Sequence, residues 1–464
     1  MIGLFAAFLV NIFLLNKLNL SLYGLYVYYI SVIQISSNLV TGGLNGYIGR
    51  YFPDRLSTEL NQKTSNDTAL LLILIIKSIL AAIILSLLIT EAERRTLIIA
   101  AFFFQATRLF WDSILKATLN NEVSSKMSLT AILLRNALIV VFLDSITLEL
   151  LLKVEIWVHA VWLAIGIGLL LKRKIKLHLN LRVSFNSEMS VFELRYLALS
   201  WFNEILNGAT NRSSDILFVR YFAEPHFLGI YSLALKTYEY IVKILPSKEV
   251  LVYVRTYMLA SVKSNGMENV IKEYQNLFYY VSLIYMIPVT MFFLAGELFI
   301  RDLYHVEEYS SVYLLTCILL SYQLNYALFY HQSLFVIFLR KIEYSLYTRL
   351  IYPIVLISYL LIEKEPSMQS FAIITVTCEL FRNLLISIVL SYLGQNVWNR
   401  EMAIGFVGLV VLPMVTGLAL HGLSYVQVLL GILIISVYMF AYVHYVGYGN
   451  VKQSIENVLV KIGK

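Results

Sequence analysis

Apolar blocks the length of a membrane-crossing helix constrain this chain more than any other feature. Residues 69–88, ALLLILIIKSILAAIILSLL, carry one charge in twenty positions, and many other stretches of about 18 to 25 residues read alike. A helix needs about 20 such residues to cross roughly 30 Å of hydrocarbon. Charged residues make up only 14% of the sequence and hydrophobic ones 59%, where a soluble domain carries about 25% and 45–50%. A soluble globular fold is excluded, and an all-α polytopic membrane protein is expected. Fourteen spans follow from the pattern: 1–16, 22–49, 69–90, 97–117, 127–143, 149–171, 191–221, 226–249, 275–295, 311–339, 344–362, 368–392, 402–420 and 424–446. The connections are too short to insert a soluble domain, so any chemistry belongs in or at the bilayer. The first residues, MIGLFAAFLVNIFLL, lack the basic start and small-residue cleavage site of a signal peptide and read as the first span. Cys317 and Cys378 lie inside apolar runs, where they act as small hydrophobes, so neither a disulfide framework nor a metal site is expected.

Lysine and arginine distribution sets the expected orientation. With the N-terminus inside, inner connections hold Arg50, Arg55, Lys63, Lys116, Lys126, Lys172, Arg173, Lys174, Lys176, Arg182, Lys248, Arg255, Lys263, Lys272, Arg340, Lys341, Arg400, Lys452, Lys461 and Lys464. Outer ones hold Lys17, Arg94, Arg95, Arg301 and Lys364. That bias, about fourfold, puts both termini in the cytoplasm. The net charge of +7 then reflects topology, with no need of a nucleic-acid partner.

The chain repeats itself. Gly24 and Gly229, Tyr26 and Tyr231, and Arg50 and Arg255 each stand 205 residues apart. Leu-Tyr-Gly-Leu-Tyr matches Phe-Leu-Gly-Ile-Tyr, and Thr41-Gly42 falls opposite Pro246-Ser247, so both helices are weakened at the same height. Spans 1–6 and 7–12 therefore read as two copies of a six-helix lobe. An even number of spans keeps the copies parallel, related by an axis along the membrane normal. The expected organisation is a lobe at 1–171, a basic cytoplasmic linker at 172–190, a second lobe at 191–393, and two extra helices with a cytoplasmic tail at 394–464. Two such lobes around a central cleft suit a transporter.

Tyr-Gly-x-Tyr early in span 2, the glycine-rich Gly42-Gly43-Leu44-Asn45-Gly46 and Arg50-Tyr51-Phe52-Pro53 carry a family resemblance. So do Ser214-Asp215-Ile216-Leu217 and Gly229-Ile230-Tyr231-Ser232. With them the chain resembles the polysaccharide exporters of the multidrug/oligosaccharidyl-lipid/polysaccharide superfamily. The resemblance implies an O-antigen-type flippase in a bacterial or archaeal plasma membrane. Such a protein carries undecaprenyl-diphosphate-linked oligosaccharide from the inner to the outer leaflet for surface polysaccharide assembly, including lipopolysaccharide. Its partners would be that lipid-linked glycan, membrane lipids, a glycan polymerase and a chain-length regulator. No cofactor is implied.

Charges inside spans cost about 2.5–3.5 kcal/mol each at the bilayer centre and mark function. The cations are Lys77, Arg108, Arg135, Arg212, Lys236, Lys243, Arg349 and Arg382; the carboxylates are Asp112, Glu204, Asp215, Glu239 and Glu379. Helical spacing pairs Arg108 with Asp112, Arg212 with Asp215, Glu239 with Lys243, and Glu379 with Arg382. Lys77, Arg135, Lys236 and Arg349 are left against Glu204. That positive surplus suits a lipid diphosphate, whose oxygens match guanidinium forks and ammonium groups. Snorkelling to an interface is the plainer account of such cations, most of all for Lys77.

Arg50 and Arg255 at the inner ends of spans 2 and 8 serve as topology anchors. The likeness to lipid II flippases, where arginines near these helix ends matter, implies a first contact with the diphosphate. The expected diphosphate-binding set is thus Arg135, Arg349, Lys236, Arg50, Arg255 and Lys77. In span 7, Ser200, Glu204, Gly208, Asn211 and Asp215 recur every three to four residues, with Asn203, Asn207 and Arg212 beside them. That face either lines water or glues a helix seam; in the first case Glu204, Asn207, Asn211 and Asp215 line the cleft or couple an ion. Two rival functions stand beside transport of a lipid-linked glycan. A glycan polymerase or ligase needs a large outer loop, and segment 296–310 is short. A drug-cation antiporter needs unpaired carboxylates rather than cations. No GxxxxGK[ST] loop for ATP is present, and no enzyme activity is expected.

Overall fold

The apolar blocks become helices. A computed structural model describes residues 2–45, 47–48, 66–89, 91–117, 121–171, 191–210, 212–244, 247–323, 342–363, 365–399 and 431–441. Residues 332, 335, 339, 402, 404–405, 407–411 and 444 are described as well. The helices are α1 Ile2–Lys17, α2 Leu20–Thr41, α3 Asn66–Leu88, α4 Ala92–Ala117, α5 Asn121–Val141, α6 Leu148–Leu171 and α7 Val191–Thr210. They continue with α8 Arg212–Phe222, α9 Pro225–Ile244, α10 Ser247–Tyr304, α11 Tyr309–Leu320, α12 Ile342–Ile362 and α13 Met368–Tyr392, then α14 Gly431–Ala441. Among the described residues there is no strand.

Local chemistry sets the ends. The Asn19 side chain accepts from the Leu22 amide at 2.8 Å to start α2, and Ser367 accepts from the Ser370 amide at 3.1 Å to start α13. Each supplies an acceptor for an amide that the helix cannot satisfy itself. Pro225 opens α9, where its missing N–H costs nothing. The span expected at 191–221 is described as two helices, α7 Val191–Thr210 and α8 Arg212–Phe222, and Asn211 lies outside the described residues. The span expected at 275–295 lies within the longer α10, which breaks at Gly266 (φ 78°, ψ 167°), a conformation that suits only a residue without Cβ. Of the last two expected spans only 402, 404–405, 407–411, 431–441 and 444 are described.

Contacts divide the chain into two compact units, 1–232 and 233–464. In the first, α2 is the hub, packed against α1, α3, α4, α6, α7 and α8. It buries Tyr23, Tyr26, Val27 and Ile33. Three end contacts fix an alternating course. Lys17, closing α1, bonds Asp144 in the α5–α6 turn at 2.8 Å. Arg94 in the first turn of α4 meets Glu149 in the first turn of α6 at 3.0 Å. Gly229, opening α9, abuts Leu20, opening α2. Successive helices thus run up and down as a polytopic chain must. In the second unit α10 packs on α11, α11 on α13, and α12 on α13. Tyr313 of α11 donates to the Phe293 carbonyl of α10 at 2.7 Å, and Gln275 donates to the Val397 carbonyl at 3.1 Å.

Five helices among the described residues are long and apolar enough to span a membrane. On α3, Leu87 and Leu88 are 78% and 70% exposed, and Ile75, Ile76, Ile79, Leu80, Ile83 and Ile84 are exposed too. So much continuous apolar surface belongs against lipid.

Candidate functional site

Three helices of the first unit bring a charge pair into its interior. Tyr26 lies six residues into α2, Arg135 six residues before the end of α5, and Glu155 seven residues into α6. At 1.5 Å per residue all three sit about 9–11 Å from the same end of the bundle. They meet there. Arg135 Nε donates to Glu155 Oε1 at 2.5 Å, and Arg135 Nη2 donates to the Tyr26 hydroxyl. Tyr26 in turn donates to Glu155 Oε1 at 3.2 Å. One turn deeper on α6, His159 Nδ1 is 3.1 Å from Arg108 Nη1 of α4. The Arg108 guanidinium also lies 5.7 Å from the centre of the Trp162 ring, within cation–π range. Glu155 and His159 are both buried.

This network revises the charge count read from sequence. Arg135 is not a lone cation, because Glu155, overlooked in the apolar block of α6, is its partner. Nor does Arg108 pair with Asp112 as helical spacing suggests: Asp112 is held by Lys116 at 2.6 Å and by the Ser124 hydroxyl. The signal was present, since Glu155 and His159 stand four apart on one face of α6. Lys236 is likewise paired, sharing Glu239 with Lys243 at 3.0 and 3.1 Å. The expected Glu379–Arg382 pair forms at 2.9 Å.

A second constellation forms where α2 stops. Gly42 caps the helix and Gly43 turns to φ 78°. The last carbonyls of α2 lack helical partners, and two side chains supply them. Trp201 Nε1 of α7 donates to the Leu39 carbonyl at 3.0 Å, and Lys77 Nζ of α3 donates to the Gly42 carbonyl at 2.9 Å. Lys77 also stands 5.0 Å from the Trp201 ring centre. A Cβ on Gly42 would come within 2.8 Å of the Glu204 Cβ, and one on Gly43 within 2.9 Å of the Leu197 carbonyl and the Trp201 Cβ. Near Gly208 the neighbour is Leu39. Contacts climb α7 as they descend α2, so the two helices are antiparallel. The face of α7 bearing Glu204 and Gly208 packs on the end of α2, and Gly42 is a close-packing position.

The remaining expected residues are spread across the chain. Asp215 of α8 is fully buried and accepts from the Tyr231 hydroxyl at 3.2 Å. Tyr231 is the repeat mate of Tyr26, so each of the two tyrosines donates to a buried carboxylate. Their neighbours Gly24 and Gly229 touch: a Cβ on Gly24 would lie 2.5 Å from the Gly229 nitrogen. Arg349 is half-buried on α12, one turn before Pro353. Arg50 and Asn211 lie outside the described residues, as do the side chains of Asn207, Arg212 and Arg255. In the first unit the structure brings Lys77 and Glu204 together at the α2 break and places Arg135 in a separate network. At the exposed bundle end, the hydrogen bond from Lys17 holds the Asp144 carboxyl below the usual carboxylate range.

No protein-family model matches the sequence, and no curated protein matches it. Among solved structures the chain is similar to lipid II flippase MurJ in an inward closed conformation. The TM-score is 0.59 at 12% identity, over 96% of this chain and 98% of that one. The likeness is one of fold, and it extends over nearly the full length of both chains. This is a MurJ-like, multi-helix fold.

Proposed function

We propose that this chain is a flippase that carries a polyprenyl-diphosphate-linked oligosaccharide from the inner to the outer leaflet of a bacterial or archaeal plasma membrane. The glycan would serve surface polysaccharide assembly, as in O-antigen, capsule or exopolysaccharide. The observation that carries the reading is the near end-to-end fold likeness to a protein whose name states lipid II flipping. The 205-residue repeat supports it, since two parallel six-helix lobes at 1–171 and 191–393 suit alternating access. The same account seats both termini in the cytoplasm and treats 394–464 as an addition to the repeat.

Diphosphate binding belongs in this proposal to Arg349, Arg50 and Arg255, with Arg135, Lys236 and Lys77. The last three are engaged by Glu155, Glu239 and the Gly42 carbonyl, so a headgroup reaches them only by exchanging partners. Glu204, Asn207, Asn211 and Asp215 would line the path. Guanidinium forks match diphosphate oxygens in pairs, so Arg349→Glu abolishes transport while Arg349→Lys keeps part of it. Full activity of Arg349→Glu removes that residue from the site. The reading itself is tested in cells depleted of the protein. Lipid-linked glycan accumulates on the cytoplasmic leaflet if the reading holds, and an unchanged leaflet distribution contradicts it.

A further inference from the structure

We propose that His159 is a proton-binding site at which a proton and the Arg108 guanidinium compete for one nitrogen lone pair. A guanidinium has no acceptor and never deprotonates in proteins. The 3.1 Å contact between Arg108 Nη1 and His159 Nδ1 therefore requires Nδ1 to be the acceptor. The imidazole is neutral, with its hydrogen on Nε2. A proton arriving at Nδ1 takes the lone pair that Arg108 uses, and that hydrogen bond is lost. Two cations then face each other, so Arg108 must move.

Both groups have somewhere to go. Asp112 stands one turn from Arg108 on α4, at the i,i+4 spacing that favours an ion pair. It is held in this structure by Lys116 and Ser124, and Lys116 is more than half exposed, so water can take over its solvation when Arg108 arrives. The imidazolium, for its part, gains Glu155 one turn away on α6. The groups bearing on His159 are few. From its own helix there is Glu155, from α4 Arg108 and from α5 Arg135; behind them, Asp112 of α4 bears on Arg108 and Tyr26 of α2 bonds Glu155. Lys153, also on α6, is exposed. The two pairings put the Arg108 hydrogen bond between α4 and α6 in one case and within α4 in the other, while Arg94–Glu149 still joins the two helices at their shared end. Since α4 and α6 are closely packed partners, proton binding changes how tightly this bundle is held. Nothing in the site itself depends on the flippase proposal; only its use, regulation of transport by pH, rests on that reading.

Nitrogen-15 NMR of the full chain in lipid nanodiscs, with labelled histidine and His159→Gln for assignment, reads the site directly. At pH 8 His159 should be neutral with its proton on Nε2, and acidification should convert it to the imidazolium. Asp112→Asn removes the landing carboxylate and should lower that midpoint by at least about one pH unit, and Asp112→Glu should restore it. A neutral ring protonated on Nδ1, a ring that never titrates, or a midpoint indifferent to Asp112→Asn overturns the proposal. Transport then tests its use. Flipping by the wild type should change about fivefold or more across the titration, and His159→Gln should flatten that profile. A wild-type profile retained in His159→Gln overturns the coupling. Absence of flipping at every pH overturns the flippase reading instead, while the NMR result still decides the site.

Discussion

Glu155 shows how one residue changes the meaning of another. Arg135 alone in a span reads as a ligand for an anion; beside Glu155 and Tyr26 it is half of a buried pair. Removing one partner of such a pair leaves an uncompensated charge, which costs about 3–5 kcal/mol when burial is complete. Arg135 is about a quarter exposed, so Glu155→Gln should lose somewhat less, about 2–3 kcal/mol, measured as thermal unfolding in detergent. Replacing both members, as Arg135→Met with Glu155→Leu, should recover most of that loss. Equal destabilisation in the double variant would show that packing, rather than charge, dominates. Glycine supplies a second contrast. A methyl on Gly229 would lie 2.1 Å from the Leu20 carbonyl oxygen, a backbone atom that cannot step aside. Gly229→Ala should cost about 1–3 kcal/mol as overpacking, whereas Gly168→Ala, which meets nothing within 4 Å, should be neutral in the same assay.

At the scale of the element, the break closing α2 is held by side chains from two neighbours. Trp201→Phe removes the donor to the Leu39 carbonyl and keeps the aromatic bulk, so the loss should be about 0.5–1.5 kcal/mol. Lys77→Met should lose a comparable amount at the Gly42 carbonyl together with the contact to the Trp201 ring. Unchanged stability in both variants would mean that lipid headgroups or water satisfy those carbonyls. The helices themselves were legible in the sequence, because a lipid-facing helix must be apolar along its whole length, and expected spans such as 368–392 coincide with α13. The glycine-rich end of span 2 was legible as a weak point, since Gly43 needs positive φ. Periodicity supplied the pairs Glu239–Lys243 and Glu379–Arg382 but not the partners of Arg108 and Arg135. Asp112 is as near to Lys116 as to Arg108 along the helix, and only packing against Ser124 of α5 decides between them.

For the whole molecule, the 205-residue spacing is a reading of the sequence and the MurJ-like likeness one of backbone shape. Gly24 and Gly229, 205 residues apart, touch in space. In the proposed cycle a headgroup with about two negative charges moves outward across an inside-negative membrane and gains roughly 4–5 kcal/mol per 100 mV. The most direct test is the leaflet distribution of a polyprenyl-diphosphate-linked oligosaccharide in vesicles reconstituted with the purified chain, under a potassium-diffusion potential. The account predicts that the protein moves the lipid-linked glycan between leaflets, faster when the receiving side is positive. An unchanged distribution at every potential, in vesicles where the same protein transports an organic cation, would contradict it.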